Sequence, residues 1–203
     1  MFDFDTENIE VNVLKKRLNE AHCIKNVKTR RRQVAKVQDD FQKLIFGTDI
    51  LNQPFMEARK LSEYFKRLDI QTYTVFSGCK GLHLYVFLPK LHISNISQVT
   101  LKLATIFKDK LDLRTLDVSV SKDSLKRMDR VPFYSWHEKT RLYVTPCSIE
   151  DDILDVLKAS RKQKVMEFNF SDYMLSEEHI LVKTLLKLDN NYQEIAKAKE
   201  SKG

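Results

Sequence analysis

The chain has 203 residues, 42% of them hydrophobic, which is enough for one domain or for one domain with an appendage. No apolar run reaches the roughly 18 residues of a membrane helix, and no secretory signal is recognisable, so no membrane association is predicted. The net charge of +7 favours a polyanionic partner. The three cysteines, Cys23, Cys79 and Cys147, form no closely spaced pair, which favours a reducing, cytoplasmic location over a zinc site.

The N-terminal segment alternates apolar and acidic side chains in the order Phe2-Asp3-Phe4-Asp5. On a β-strand, the two aspartates would share one face and the two phenylalanines the other. Carboxylates this close repel each other unless a cation lies between them, and Mg²⁺ and Mn²⁺ prefer such oxygen ligands. The segment therefore predicts either a metal-binding strand or a solvated N-terminus.

Residues 12–46 carry apolar side chains at helical spacing and predict two helices. Their basic cluster, Arg30, Arg31 and Arg32, predicts either a contact surface for nucleic-acid phosphates or a solvated helix face. A further helix is predicted from Asn52 to about Leu68. Its expected inner face comprises Phe55, Ala58, Leu61, Tyr64, Phe65 and Leu68.

The middle of the chain predicts two strands, Thr72–Phe76 and Leu82–Leu88, joined by a tight turn. The second strand is apolar at nearly every position, so we expect it in the middle of a sheet, buried on both faces. Two of the four glycines lie in the turn, where they permit positive φ and let backbone N–H groups approach an anion. Ser77, Lys80 and His83 would then suit a triphosphate, and an ordinary hairpin is the alternative.

The rest of the chain predicts helices and short strands around a polar loop. In chain order these are a helix at Ile96–Leu111, a strand at Thr115–Val120, a short basic helix at Ser121–Arg130, a loop to Thr140, a strand at Arg141–Thr145, helices at Glu150–Lys162 and Ser176–Leu188, and a mobile polar tail at Gln193–Gly203. Asp117 at the strand end, and Arg130 and His137 beside the loop, are compatible with either structural or functional roles.

Four segments carry a family resemblance. FDFD, SGCKGLH and TLDVSVSKD resemble, in that order, the three motifs of the archaeo-eukaryotic primase superfamily: hydrophobic-Asp-x-Asp, Ser-x-His within an SGxxGxH turn, and hydrophobic-Asp. RVPFYSWHEKT is similar to the family segment R/K-x-P-x-S-x-H-x-K-T, with one extra residue between proline and serine. The resemblance covers about residues 2 to 146. It is specific because the probability that all four segments match by chance in this order is the product of four small probabilities. The Cys/His zinc cluster that many primase small subunits carry between the first two motifs is missing here.

The resemblance implies an α+β fold, with a mixed central β-sheet flanked by helices, that forms an RRM-like primase-polymerase catalytic core. Residues 1–150 would be this core, and residues 151–203 a helical appendage with a flexible tail that links to a partner or a further domain. Asp3, Asp5 and Asp117 would hold two Mg²⁺ or Mn²⁺ ions. The residues that would contact the triphosphate of the incoming nucleotide are Ser77, Lys80, His83, Arg130, His137 and Lys139.

The expected function is that of a DNA primase or primase-polymerase. A 3′-hydroxyl would attack the α-phosphate of an NTP or dNTP in line, on a single-stranded DNA template, with two metal ions assisting. A primase large subunit or a replicative helicase would be a partner. Two alternatives stay open: an end-joining repair polymerase of the ligase-associated kind, and a catalytically silent nucleic-acid-binding domain of a replication protein.

Overall fold

The computed structural model describes residues 1–47, 49–119, 135–163 and 169–200. In these ranges, four strands form one sheet in the order β1-β3-β2-β4, namely β1 (Phe2–Asp5), β2 (Tyr73–Phe76), β3 (Gly81–Tyr85) and β4 (Thr145–Cys147). The helices are α1 (Ile9–His22), α2 (Val27–Gly47), α3 (Asn52–Lys66), α4 (Ile96–Leu111), α5 (Ile153–Ala159) and α6 (Ile180–Glu200). The chain is therefore of the α+β class. None of these described helices is both long enough and apolar enough to cross a membrane.

The sheet differs from the expected mixed sheet because every pairing between its four strands is antiparallel. A short turn joins β2 to β3, and a turn of that length can only connect antiparallel neighbours. The predicted hairpin is confirmed, and β3 lies in the interior of the sheet, with Leu82 and Leu84 fully buried. The expected strand Leu82–Leu88 is shorter, since regular pairing ends at Tyr85.

The outer edge of β1 is covered by the segment around Leu116. Asp5 N donates to Thr115 O over 2.9 Å, Asp117 N donates to Asp3 O over 2.8 Å, and Leu116 lies opposite Phe4 in an isolated antiparallel bridge. The predicted strand Thr115–Val120 is therefore wrong in extent, since among its described residues only Leu116 forms a β-bridge and Val118 and Ser119 lie in a 3₁₀ turn. The pairing places Asp117 directly beside Asp3 on the neighbouring segment.

The two faces of the sheet have opposite characters because side chains alternate along each strand. One face carries Phe4, Phe76, Leu82 and Leu84, which are fully buried in the main core together with residues of α3, α4 and α6. The opposite face, here called the polar face, carries four polar side chains in β1 and β3. These are Asp3, Asp5, His83 and Tyr85.

Helices α1 and α2 form a hairpin with a small core of its own. Val11, Leu14 and Leu18 of α1 pack against Val37 and Phe41 of α2, as the helical spacing in the sequence predicted. Side chains of α2 donate hydrogen bonds to the loop that precedes β4. This loop therefore receives its position from α2, about 100 residues away in sequence.

The expected inner face of α3 is confirmed in its main part. Phe55, Ala58, Leu61 and Phe65 are buried in the main core, whereas Tyr64 is half-buried. The aromatic contacts join helix to sheet, since the ring centroids of Phe65 lie 5.5 Å from Phe2 and 5.1 Å from Phe107. Such tilted and edge-on ring pairs contribute to stability beyond the area they bury.

The C-terminal segment packs on this same core. Leu181, Val182 and Leu185 of α6 are buried in it. Asp189 accepts hydrogen bonds from the backbone N–H groups of Ser94 (3.1 Å) and Asn95 (2.8 Å), just before α4. Burial alone would raise the pKa of Asp189, but these donors, with the side chains of Asn95 and Gln193, lower it below its ordinary value.

Two expected elements of the C-terminal third were wrong in extent. The predicted strand Arg141–Thr145 is replaced by β4 at Thr145–Cys147, because only these residues reach hydrogen-bonding register with β2. The tail expected to be mobile from Gln193 is helical through Glu200. The Gln193 side chain donates to Asp189 over 2.9 Å, and Tyr192 packs against the main core, so tertiary contacts extend the helix.

Candidate active site

The three aspartates predicted as metal ligands lie on the polar face of the sheet. Asp3 and Asp5 are two residues apart on β1, and Asp117 lies opposite Asp3 on the adjoining segment. Directly opposed residues of an antiparallel pair point to the same face, with Cβ atoms about 4.5–5.5 Å apart. The fold thus brings together residues 3, 5 and 117.

His83 lies on the other side of Asp3. The two residues are direct partners in the β1–β3 pairing, and His83 Nε2 is 3.4 Å from Asp3 Oδ1. Both side chains are buried, with Asp3 only 1% exposed. The Tyr85 hydroxyl lies 3.4 Å from Nδ1 of the same imidazole. The ring of His83 is therefore positioned from both sides, between a carboxylate and a phenol.

Gly81 allows Asp5 to fold back over the hairpin. It is the β3 residue opposite Asp5, and a Cβ atom there would collide with Phe4 O and lie 2.5 Å from Asp5 Oδ1. The Asp5 carboxylate occupies this space and forms an ion pair with Lys80, with Oδ2 and Nζ 2.6 Å apart. The second glycine of the SGCKGLH motif is thus required by the close approach of β1.

Lys15 lies within electrostatic range of Lys80, Lys139 and Asp5, and it was not predicted as a site residue. Burial first, and then the neighbouring charges of Lys80 and Lys139, lower the pKa of Lys15 on α1, while Asp5 opposes this change. Positive charges held near one another, although this makes it harder for a lysine to stay protonated, are typical of an anion-binding site. No motif in the sequence marks Lys15, because Lys80 and Lys139 are far from it in the chain and only the fold brings the three charges near one another.

Cys79 lies in the turn between Gly78 and Lys80. Its side chain is 2% exposed, and burial raises the pKa of the thiol to about 11. The thiol therefore stays protonated at neutral pH, and Cys79 acts as a small apolar residue under the turn.

His137 and Lys139 are brought against the turn by the loop that precedes β4. Gly78 has φ of 81°, and a Cβ atom there would lie 2.8 Å from Leu142 O and 3.1 Å from the His137 side chain. The Thr140 hydroxyl donates to Gly78 O. The turn of one predicted motif therefore packs against the loop of another motif, about 60 positions later in the sequence.

The orientation of His137 follows from one hydrogen bond. The backbone N–H of Lys139 donates to Nδ1 of His137 over 3.2 Å, and the imidazole is 8% exposed. Nδ1 is therefore the accepting nitrogen of the ring in this contact.

Helix α2 holds this loop from outside. The side-chain amides of Gln38 and Gln42 donate to the backbone oxygens of Glu138 (2.6 Å) and Thr140 (2.5 Å). Arg141, which has φ of 59°, forms an ion pair with Asp39 of the same helix. Sequence reasoning did not identify these supporting residues, because no local pattern links α2 to a loop so far along the chain.

The remaining predicted site residues have different positions. Ser77 is 6% exposed and pairs through its backbone N–H with Gly81 O over 3.0 Å. Arg30 is half-buried and Arg31 and Arg32 are exposed in the first two turns of α2. Arg130 lies outside the described residues.

The donor chemistry of the three aspartates fits a hard divalent cation such as Mg²⁺ or Mn²⁺. Each carboxylate also has a protein neighbour: His83 for Asp3, Lys80 for Asp5, and the backbone N–H of Ser119, 2.8 Å from Asp117 Oδ1. Across the described ranges, no three His, Cys, Asp or Glu side chains stand together as a metal-holding group. The backbone register places all three aspartates on the polar face.

Comparisons with models of known protein families, with curated proteins and with solved structures find no significant match to this chain.

Proposed function

We propose that this chain is a template-directed nucleotidyltransferase, a DNA primase or primase-polymerase catalytic core. The observation that carries the proposal is the placement of Asp117 beside Asp3, with Asp5 two residues on and the SGCKGLH turn next to them. The motif order in the sequence and this convergence are independent of each other. A chance resemblance gives no reason for residues 3 and 117 to be neighbours.

The cationic side of the site would bind the phosphates of the incoming nucleotide. Lys80 forms an ion pair with Asp5, Lys15 lies within electrostatic range of Lys80, Lys139 and Asp5, and His137 packs against the same turn. Ammonium groups and N–H donors fixed in a partly buried site stabilise developing negative charge better than water does, since they need no reorganisation. These residues would hold the β- and γ-phosphates and the leaving pyrophosphate.

The carboxylate side would hold the metal ions through Asp3, Asp5 and Asp117. When bound, such ions supply a lowered pKa at the 3′-hydroxyl and charge neutralisation at the phosphates. The contribution of the chain is geometric: the β1 register fixes Asp3 against His83, and the Leu116 bridge fixes Asp117 against Asp3. Positioning of this kind accounts for most of the catalysis expected in phosphoryl transfer.

The test is incubation of the purified chain with single-stranded DNA, Mn²⁺ and labelled NTPs or dNTPs, with and without a primer. We expect labelled products on unprimed template. Products only on primed template would instead favour the end-joining repair polymerase. In the same assay Asp117→Asn should lower synthesis by more than about 100-fold, since even the outer-shell partners of a metal contribute 10- to 100-fold.

The matched control for that variant is Asp109→Asn, which changes an exposed aspartate on α4. It should retain wild-type synthesis. Undiminished synthesis by Asp117→Asn would refute the proposed metal site, provided that both variants unfold at the wild-type temperature.

A second candidate, a catalytically silent nucleic-acid-binding domain, is favoured by the ion pair between Lys80 and Asp5. In that reading the aspartates neutralise lysines and anchor a turn, and they need no cation. Titration with Mn²⁺, followed by the electron paramagnetic resonance of the free ion, separates the two candidates. Absence of Mn²⁺ uptake in a chain that still binds single-stranded DNA would favour the silent domain.

A further inference from the structure

A row of aromatic rings leads away from the candidate site across the sheet. It begins at Tyr85, two residues beyond His83 on β3, and continues through Phe87, Tyr73 of β2 and Tyr173. All four side chains are half-buried, so each ring keeps part of its surface in solvent. These four residues, Tyr73, Tyr85, Phe87 and Tyr173, are called the aromatic row below.

The rings are in continuous contact. The centroids of Tyr85 and Phe87 are 6.2 Å apart with planes only 11° from parallel, and Tyr73 lies 6.3 Å from Tyr85. Tyr173 completes the row, 5.7 Å from Tyr73 and 6.2 Å from Phe87. His83, whose ring is 6.2 Å from Tyr85, links the row to Asp3. The row therefore begins where the predicted reacting groups are.

A cavity of about 390 Å³ opens at the far end of the row. Tyr73 and Tyr173 form part of its wall, beside the Ser148 hydroxyl, the Asp151 carboxylate and the hydroxyls of Ser62 and Thr72, which lie 2.8 Å from each other. An aromatic wall with hydroxyl groups beside it offers both stacking and hydrogen bonds, as a nucleobase requires. A purely apolar ligand would gain nothing from the hydroxyls.

We propose that the aromatic row is a stacking platform for the unpaired bases of a single strand of nucleic acid that runs from the candidate site towards this cavity. The proposal deepens the proposed function, on which it rests, by assigning residues to template binding. Aromatic side chains on the face of a four-stranded antiparallel sheet are a recurrent way to bind single strands, because each base presents a π-face whatever its sequence.

The spacing and the charge both favour this occupant. Side chains two residues apart on a strand are about 6.6–6.8 Å apart, roughly twice the 3.4 Å rise of stacked nucleotides, so each ring would take one base of an extended strand. The chain carries a net charge of +7, and Lys80 lies beside Gly81, at the end of β3 opposite Tyr85. Burial first, and then Tyr173 and Cys147, raise the pKa of Tyr73 to about 12, so its phenol adds no negative charge near phosphates.

The test is the affinity of Tyr173→Ala for a fluorescein-labelled oligothymidylate of about 16 nucleotides, followed by fluorescence anisotropy without metal or nucleotide. We expect binding weaker by about 5- to 150-fold, the range that corresponds to the loss of one stacking ring. The slope of log affinity against log salt should stay at the wild-type value, because no phosphate contact is lost. Tyr173→Phe should restore the affinity.

The matched control is Met174→Ala, a neighbouring side chain that is 51% exposed. Wild-type affinity in Tyr173→Ala, or equal losses in Tyr173→Ala and Met174→Ala, would overturn the platform. A second measurement needs no variant: photo-crosslinking of wild-type protein to a strand with 5-iodouracil should label peptides containing Tyr85 or Tyr173. Labelling confined to other peptides would also overturn it.

The outcomes separate this inference from the proposed function. Asp117→Asn should bind the oligonucleotide like wild type, since the row does not include the carboxylates. If wild type synthesises primers while Tyr173→Ala binds normally, only the platform fails. If the row variants lose binding while wild type incorporates no nucleotide, only the enzyme fails.

Discussion

At the scale of single residues, the polar face depends on the missing side chain of Gly81. Because a Cβ atom there would overlap Phe4 O and crowd Asp5, Gly81→Ala should lower the free energy of unfolding by about 1–3 kcal/mol, the usual cost of overpacking. Urea denaturation measures this change. It should also separate β1 from β3 and so displace Asp5.

The control is Gly47→Ala at the end of α2, where a Cβ atom would have no neighbour within 4 Å. Alanine is the better helix former, so this variant should be neutral or slightly stabilising. If both variants showed the same small change, the steric account of Gly81 would be wrong.

Lys15 is expected to lower the stability of the folded protein while it contributes to the proposed binding of phosphates. Burial, Lys80 and Lys139 lower its pKa in the folded protein, so the unfolded chain binds more protons and stability rises with pH between the folded pKa and the unfolded value of about 10.4. At neutral pH the charged Lys15 side chain therefore lowers the free energy of unfolding. Lys15→Met should leave stability unchanged or raise it by up to about 0.5 kcal/mol.

The same variant should weaken nucleoside triphosphate binding by about 10-fold, the usual loss for one charged hydrogen-bond partner. Isothermal titration calorimetry measures the affinity. Lys16→Met, which alters the exposed neighbour, is the control and should bind as wild type. A matching loss in both variants would show that only overall charge matters.

At the scale of elements, α3 positions the segment that carries Asp117. The carboxylate of Glu57, fully buried on this helix, accepts two hydrogen bonds of 2.7 Å from the backbone N–H and the hydroxyl of Thr115. Gln53 donates a third over 2.6 Å. Burial would raise the pKa of Glu57, but these donors lower it below its ordinary value. Glu57 is therefore a positioning residue for Asp117, two residues beyond Thr115.

Glu57→Gln should lower the free energy of unfolding by about 1–3 kcal/mol at pH 7, because a neutral amide replaces a charged acceptor in a buried site. The sign of the pH dependence follows from the lowered pKa. The contribution is complete above the unfolded pKa of about 4.3 and is lost as the pH falls through the folded pKa. Urea unfolding at pH 7 and at pH 3 should therefore show a smaller difference between wild type and variant at the lower pH.

The control for this variant is Glu63→Gln, which changes an exposed glutamate on the same helix. It should be within about 0.5 kcal/mol of wild type at both pH values. A pH-independent effect of Glu57→Gln would mean that packing, and not the ionised carboxylate, holds the Thr115 segment.

At the scale of the whole molecule, the C-terminal helix is a structural part of the core. Leu181, Val182 and Leu185 of α6 are buried in the same cluster as the sheet, and each fully buried side chain contributes about 1.5–3 kcal/mol. Since domains of this size are stable by only about 5–15 kcal/mol, a chain that ends at Leu175 should not unfold cooperatively. Circular dichroism melting tests this directly.

A chain that ends at Gln193 is the control. It keeps the buried residues of α6 and the hydrogen bond from Gln193 to Asp189, so it should melt close to the full-length chain. A folded, cooperative chain ending at Leu175 would instead show that residues 176–203, the larger part of the predicted appendage, are separable.

The sequence alone determined those features that local periodicity encodes. Apolar spacing predicts the packing of α1 against α2 and the inner face of α3, and the turn glycines predict the β2–β3 hairpin. The structure confirms these features. The choice of Asp3, Asp5 and Asp117 as a set also came from sequence, through the order of motifs. The helix packing, the inner face of α3 and the hairpin depend on residues near each other in the chain, where one period or one turn decides the outcome.

Only the tertiary structure decided how distant segments meet. The antiparallel sheet, the extension of α6 past Gln193, the Glu57–Thr115 anchor and the place of Lys15 beside Lys80 and Lys139 each depend on contacts between remote parts of the chain. No periodic pattern in the sequence marks a carboxylate that is buried against backbone donors or a lysine that lies within electrostatic range of other lysines. Their effect arises from burial and proximity, which exist only once the chain is folded.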